Sequence, residues 1–163
     1  MKAVIQRVAN ASVTVDGEVK GSIESGFLIL LGVENGDNGS EAKTLAAKIA
    51  GLRIFTDEND KMNLSILDTK GSILSISQFT LYADTTKGNR PSFINTLNPT
   101  EATKLYDIFN QKLSEFVHVE TGIFGADMKV EIYNDGPVTI ILDSHELFKN
   151  CLLYTSDAAD DLT

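Results

Sequence analysis

The sequence predicts one α+β domain, its sheets mostly antiparallel and barrel-like, with two main helices. Three observations lead there. Apolar and polar residues alternate loosely over residues 2–15, followed by the turn dipeptide Asp16-Gly17. Two later segments carry apolar residues at helical spacing. Strands are joined by hairpin signals, with no Gly-rich crossover loop, which disfavours a doubly wound sheet and a nucleotide-cofactor fold. The chain has 163 residues, 42% of them apolar and 23% charged, enough for one core without covalent staples.

Residues 2–15 alternate as a strand, and Asp16-Gly17 turns them into Glu18-Val19-Lys20, a hairpin. Residues 26–33, including Phe27-Leu28-Ile29-Leu30-Leu31, form a nearly continuous apolar run, the pattern of a strand buried on both faces. Ser40 stands as N-cap of a helix over 41–52, whose apolar stripe is Ala42, Leu45, Ala46, Ile49 and Leu52. Residues 56–61 read as a charged loop and 73–81 as a strand. Asn98-Pro99 opens the second helix, with Asn98 as cap, Pro99 in the first turn and Glu101 where a capping-box acid belongs. Its apolar face is Ala102, Leu105, Tyr106, Phe109, Leu113 and Phe116. Strands are expected over 117–124, 128–133 and 138–143, the last two joined by a turn at Gly136-Pro137.

Composition excludes several classes of function. The single cysteine, Cys151, rules out an intrachain disulfide and a cysteine cluster, and two histidines, His118 and His145, do not make a zinc site alone; no metal or cofactor is expected. A net charge of −9 argues against a broad basic face for long nucleic acids but leaves room for a short RNA end. No apolar run reaches the length of a membrane helix and the start lacks a signal-peptide pattern, so a cytoplasmic protein with no membrane partner is expected. Residues 1–150 are assigned to the domain. Residues 151–163, with Asp157, Asp160, Asp161 and no Lys or Arg, are read as a non-native or disordered tail and set aside.

Two segments concentrate chemistry. Ser77-Gln78-Phe79-Thr80-Leu81 offers two hydroxyls and an amide on an expected strand, with Phe79 and Leu81 facing away from Gln78 and Thr80. A hydroxyl nucleophile needs a base, and none lies nearby in sequence; the alternative is a strand with a wet polar face. Asn134-Asp135-Gly136-Pro137-Val138-Thr139 contains an X-Pro bond, for which cis costs only about 0.5–1 kcal/mol. Two carbonyls fixed in parallel are one outcome, and a plain hairpin turn the other. His118 reads as a helix C-cap, Asp57, Glu58 and Asp60 as a solvated loop lacking EF-hand spacing, and Lys87 and Arg90 as either solvated charges or phosphate contacts.

With Arg7-Val8, Ala11-Ser12-Val13, Gly88-Asn89-Arg90-Pro91-Ser92-Phe93 and residues 122–128 added to these two segments, the chain resembles the D-aminoacyl-tRNA deacylases from Met1 to about Ser144. The resemblance implies hydrolysis of the ester of D-aminoacyl-tRNA, with mischarged glycyl-tRNA as a further substrate. It implies a catalytic segment Ser77, Gln78, Phe79 and Thr80, and a substrate-binding set Phe124, Gly125 and Met128. It also implies a homodimer in which Gly136-Pro137, cis in the family, enters the partner's pocket and rejects L-aminoacyl groups with main-chain carbonyls. Thr80 is then either the nucleophile or a positioning group beside an RNA hydroxyl. The alternative is a non-catalytic binding module for the aminoacylated tRNA end.

Overall fold

Strand β1, Lys2–Val15, is the spine of the fold; it pairs antiparallel with three other strands. The computed structural model describes residues 1–148, so Cys151 and the tail set aside above lie outside the described residues. β2 (Glu18–Ile23) and β3 (Gly26–Gly32) return antiparallel along β1, β2 against residues 11–15 and β3 against residues 2–8, and β8 (Lys129–Asp143) also runs antiparallel along β1. β6 (Ser72–Ser77) lies parallel to β3, and β7 (Val119–Thr121) parallel to β6, giving the order β2-β1-β3-β6-β7. The parallel pairs follow from helix-bearing crossovers, α1 (Gly39–Ala50) between β3 and β6 and α3 (Pro99–Ser114) between β6 and β7. The sheet curls until β2 meets β6 and β7, so the expected barrel-like α+β domain is present.

Two cores result, and β1 feeds both. Ala3 and Ile5 join the larger, with Phe27, Ile29, Leu45, Ile49 and Phe109 between sheet and helices. Val8, Ala11 and Val13 join the smaller, with Leu28, Leu74 and Ile76. Val8 has the opposite parity from Ala3 and Ile5, and a register shift between Val8 and Asn10 then restores odd residues to the side Val8 occupies. A bulge thus switches the strand from one core to the other, because side chains alternate with period two. β3 also divides its two faces between the cores, as its unbroken apolar run requires.

Several boundaries differ from the sequence expectation. Asn38, not Ser40, caps α1, accepting from the Glu41 N–H at 2.9 Å, and residues 51–52 lie beyond its end. The expected loop at 56–61 is the tip of a small hairpin, β4 (Phe55–Thr56) and β5 (Met62–Leu64), followed by a one-turn helix α2 (Ile66–Thr69). In α3 the expected Asn98 cap is present, accepting from the Glu101 N–H at 3.0 Å, but the helix stops before Phe116, which packs under Lys112. The expected strand over 117–124 shrinks to β7. Residues 128–133 and 138–143 are not a hairpin; they are two halves of β8, and Gly136-Pro137 sits in a bulge between them. A last turn, α4 (Ser144–Leu147), closes the described chain.

Candidate active site

β6 delivers Ser77 to the end of the sheet, and there the strand stops. The Gln78 N–H still donates to Leu31 O at 2.8 Å, after which residues Phe79–Tyr82 wind into a 3-10 turn with Leu81 N–H on Gln78 O. The expected alternation of Phe79 and Leu81 against Gln78 and Thr80 therefore fails. The turn can lie this close because it rests on Gly32: a Cβ there would stand 3.0 Å from Leu81 Cβ and 3.2 Å from Gln78 O. Since the 3-10 ladder begins with the Leu81 N–H, those of Phe79 and Thr80 precede it and have no acceptor within the turn.

Thr80 is exposed, and its Oγ1 accepts a hydrogen bond from the Gln78 amide at 2.6 Å. An amide donor cannot take a proton from the hydroxyl, and no base approaches it among the described residues. Phe79 is 54% exposed and meets Phe93 edge to face, with ring centroids 5.0 Å apart.

Beside this turn opens a cavity of ≈ 710 Å³. Ser77, Gln78 and Phe79 form one side of it and Phe124, Gly125 and Met128 another, so six of the seven residues expected to act on or bind substrate converge. The seventh, Thr80, lies outside the lining, held by Gln78. The first turns of α3 supply Ala102 and Tyr106. Tyr106 donates its buried hydroxyl to Ser75 O at 2.6 Å, and its ring stands 6.0 Å from Phe124. Burial pushes that hydroxyl above the ordinary tyrosine range, so Tyr106 is a neutral strut. In the sequence Tyr106 is indistinguishable from the apolar face of its helix. Apolar walls with a few polar groups at one end suit a ligand that is mostly aromatic or aliphatic and has one reacting polar centre.

Gly136 and Pro137 lie outside this cavity. In the β1–β8 ladder Gln6 pairs with Thr139 and Val8 with Asn134, so Asp135, Gly136, Pro137 and Val138 together face Arg7 alone. The peptide between Gly136 and Pro137 is cis, and both residues are exposed. Gly136 has φ +129, and a Cβ on it would meet Val138 Cγ2 at 2.8 Å and Arg7 Nη2 at 3.1 Å. Only glycine fits. Arg7 pins the bulge: Nε donates to Asp135 O at 3.0 Å and Nη1 to Ile54 O at 2.8 Å. The role of Arg7 was missed from composition and spacing alone; its signal is an arginine at an inward position after Ala3 and Ile5.

The remaining titratable clusters are structural. His118 places Nε2 2.8 Å from a Glu120 carboxylate oxygen and does not cap α3, whose last carbonyls are met by the N–H groups of Glu115, Phe116 and Val117. Asp57 accepts from the N–H groups of Asn59 and Lys61, and the Lys61 bond leads in holding its carboxyl below the usual range; the loop is a self-tied turn. Asp37, Glu41 and His145 gather ligand-capable atoms, but the Met1 ammonium already sits 2.7 Å from Asp37 and donates to Ser144.

Comparison with known proteins bears on the family and the fold. The family model for D-Tyr-tRNA(Tyr) deacylase matches residues 4–143. A solved structure of a c-Myc DNA unwinding element binding protein is 42% identical, with a TM-score of 0.83 over 88% of this chain and 98% of that one. A structure described as a probable eukaryotic D-amino acid tRNA deacylase shares the fold at 15% identity, with a TM-score of 0.74 over 87% of this chain and 98% of that one. A match over most of its length, on a fold whose cavity gathers the motif residues, shows that the chain belongs to the D-Tyr-tRNA(Tyr) deacylase family, hydrolases of the aminoacyl-tRNA ester bond.

Proposed function

We propose that the ≈ 710 Å³ cavity holds the aminoacyl-adenosine end of D-aminoacyl-tRNA, and that a second protomer's Gly136-Pro137 step completes it as a chiral wall. The observation that carries this is a mismatch within one chain. The cavity has the residues for binding an ester, yet the rigid, side-chain-poor bulge implied to select the substrate is exposed and outside it. Insertion into a partner's cavity reconciles the two. Phe124, Gly125 and Met128 then receive the adenosine, and the α-carbon of the amino acid faces the partner's main-chain carbonyls. A D-residue turns its side chain away from them; an L-residue collides. Glycine has no side chain to reject, so glycyl-tRNA is also cleaved.

In the hydrolysis, water adds to the ester carbonyl and the negative charge develops on its oxygen. The N–H groups of Phe79 and Thr80, ahead of the 3-10 ladder, are the donors available to that oxygen. The carbon–oxygen bond to the ribose breaks as the tetrahedral centre collapses, and the leaving ribose oxygen takes up a proton. Thr80 is a positioning residue here. Its hydroxyl is tied to Gln78 and has no base, so the ribose 2'-hydroxyl of the RNA assists the attacking water.

The test compares Thr80→Ala on ordinary D-Tyr-tRNA with wild-type protein on D-Tyr-tRNA whose terminal ribose carries hydrogen at C2'. Thr80→Ala is expected to retain a rate within about tenfold of wild type, since a lost positioning bond is worth roughly 1 kcal/mol. The 2'-deoxy substrate is expected to lose most of its rate. The reverse pattern identifies Thr80 as the nucleophile, and capture of D-Tyr-tRNA without turnover identifies a binding module.

A further inference from the structure

One exposed segment is used by nothing described so far. From Asp84 to Ser92 the chain forms a short loop closed by reciprocal backbone bonds, Asp84 N–H to Ser92 O at 2.8 Å and Ser92 N–H to Asp84 O at 2.9 Å. Inside it, the Asp84 carboxylate accepts from the Thr86 N–H at 2.9 Å and from the Thr86 hydroxyl at 2.7 Å, which hold its carboxyl below the usual range. The loop is thus a fixed projection whose one acid is engaged. Its two cations, Lys87 and Arg90, are exposed and enter no ion pair among the described residues. Other lysines and arginines of the described residues also lack an ion pair; what distinguishes these two is a tied loop that leads into the cavity.

Their position gives them a partner. Ser92 leads directly into Phe93, which lines the cavity and meets Phe79 edge to face at its mouth. Arg90 is three residues from Phe93, so its Cα lies within about 11 Å of it even if the chain is fully extended. An exposed aromatic face beside unpaired cations is the combination that holds single-stranded nucleic acid, the ring taking a base and the cations the phosphates.

Resting on the reading that the cavity takes the terminal aminoacyl-adenosine, we infer that Lys87 and Arg90 bind the phosphates of the single-stranded RNA just before that nucleotide, with Phe93 as a stacking surface for the next base. The loop is the electrostatic handle of an otherwise acidic enzyme. Its contribution is small in number of phosphates, so it directs the RNA end into the cavity without giving the protein affinity for duplexes.

The experiment is a salt titration of binding and turnover, wild type against Lys87→Ala/Arg90→Ala, on two substrates: D-Tyr-tRNA and 2'(3')-O-(D-tyrosyl)adenosine, which has no phosphate. Two contacts to a single strand predict that the double variant lowers the steepness of log K against log[salt] for tRNA by about 1.4. That change corresponds to about a sevenfold difference between 50 and 200 mM salt. Hydrolysis of the tyrosyl-adenosine is expected to be the same for both proteins. An unchanged tRNA slope overturns the inference while leaving the cavity assignment intact. Loss of tyrosyl-adenosine hydrolysis in the variant also overturns it, because the loop then acts on the cavity itself. If wild type cleaves neither substrate, the cavity assignment is what fails, and the salt slope still reports on the loop.

Discussion

Arg7 is the residue through which the proposed wall is held. It is 9% exposed, and its guanidinium fork reaches two backbone carbonyls from different parts of the chain, Asp135 O in the bulge and Ile54 O before β4. Lysine keeps the charge but loses the fork, so it cannot hold both at once. Arg7→Lys is expected to cost about 1–3 kcal/mol in urea unfolding, the penalty of a buried carbonyl left unpaired. It should also raise cleavage of L-Tyr-tRNA relative to D-Tyr-tRNA; a variant with reduced stability but unchanged discrimination separates Arg7 from the wall. Tyr82 makes a second prediction. Burial first, and then the charges of Asp37, Asp143 and Glu34, push its hydroxyl far above the ordinary 10.0. The folded chain therefore keeps this proton after the unfolded chain has released it. Stability is unaffected by this group below about pH 10 and falls as pH rises above that value. Tyr82→Phe is expected to flatten the alkaline fall measured by urea unfolding between about pH 10 and pH 11.5, where the unfolded chain releases this proton and the folded chain keeps it. Cavity-lining residues such as Ser77 and Phe124 were singled out in the sequence through their motifs, whereas Tyr106 was not, since a strut tyrosine and a core tyrosine occupy the same helical positions.

At the scale of elements, the two motif segments take a local structure different from the one their sequence suggests. Ser77–Leu81 reads as strand because its residues are β-formers, but the sheet ends where β3 runs out at Gly32, and a glycine there lets the chain fold back as a 3-10 turn. Gly32→Ala places a Cβ against Leu81 Cβ and Gln78 O, so it should displace the turn. The expected outcome is a folded protein whose kcat/KM on D-Tyr-tRNA falls by tenfold or more, read by steady-state kinetics alongside circular dichroism. Gly136-Pro137 reads as a hairpin turn because Gly-Pro between two apolar runs is turn chemistry; pairing of both runs with the one long strand β1 makes it a bulge. Neither outcome is local information, since each depends on a strand remote in sequence. The caps at Asn98 and the turn at Asp16-Gly17 are local, and both were legible.

For the whole molecule, the proposed function requires a second chain to complete the cavity. β8, the strand that bears the bulge, leaves Tyr133 66% exposed and Ile141 65% exposed on either side of it, large apolar side chains that a second copy could cover. Sedimentation of the purified protein is expected to give a dimer at micromolar concentration. Specific activity should fall on dilution as dimers part; activity independent of dilution with a monomeric sedimentation value would remove the partner from the site. The fold class was legible because hydrophobic periodicity records burial within one chain. Assembly leaves only scattered exposed apolar residues, which the sequence does not distinguish from core. The most direct test of the account is the rate of ester loss from D-Tyr-tRNA and L-Tyr-tRNA measured side by side with the dimer. A partner-borne main-chain wall predicts rapid loss from the D-ester and an L-ester that decays no faster than without enzyme; comparable cleavage of both would contradict it.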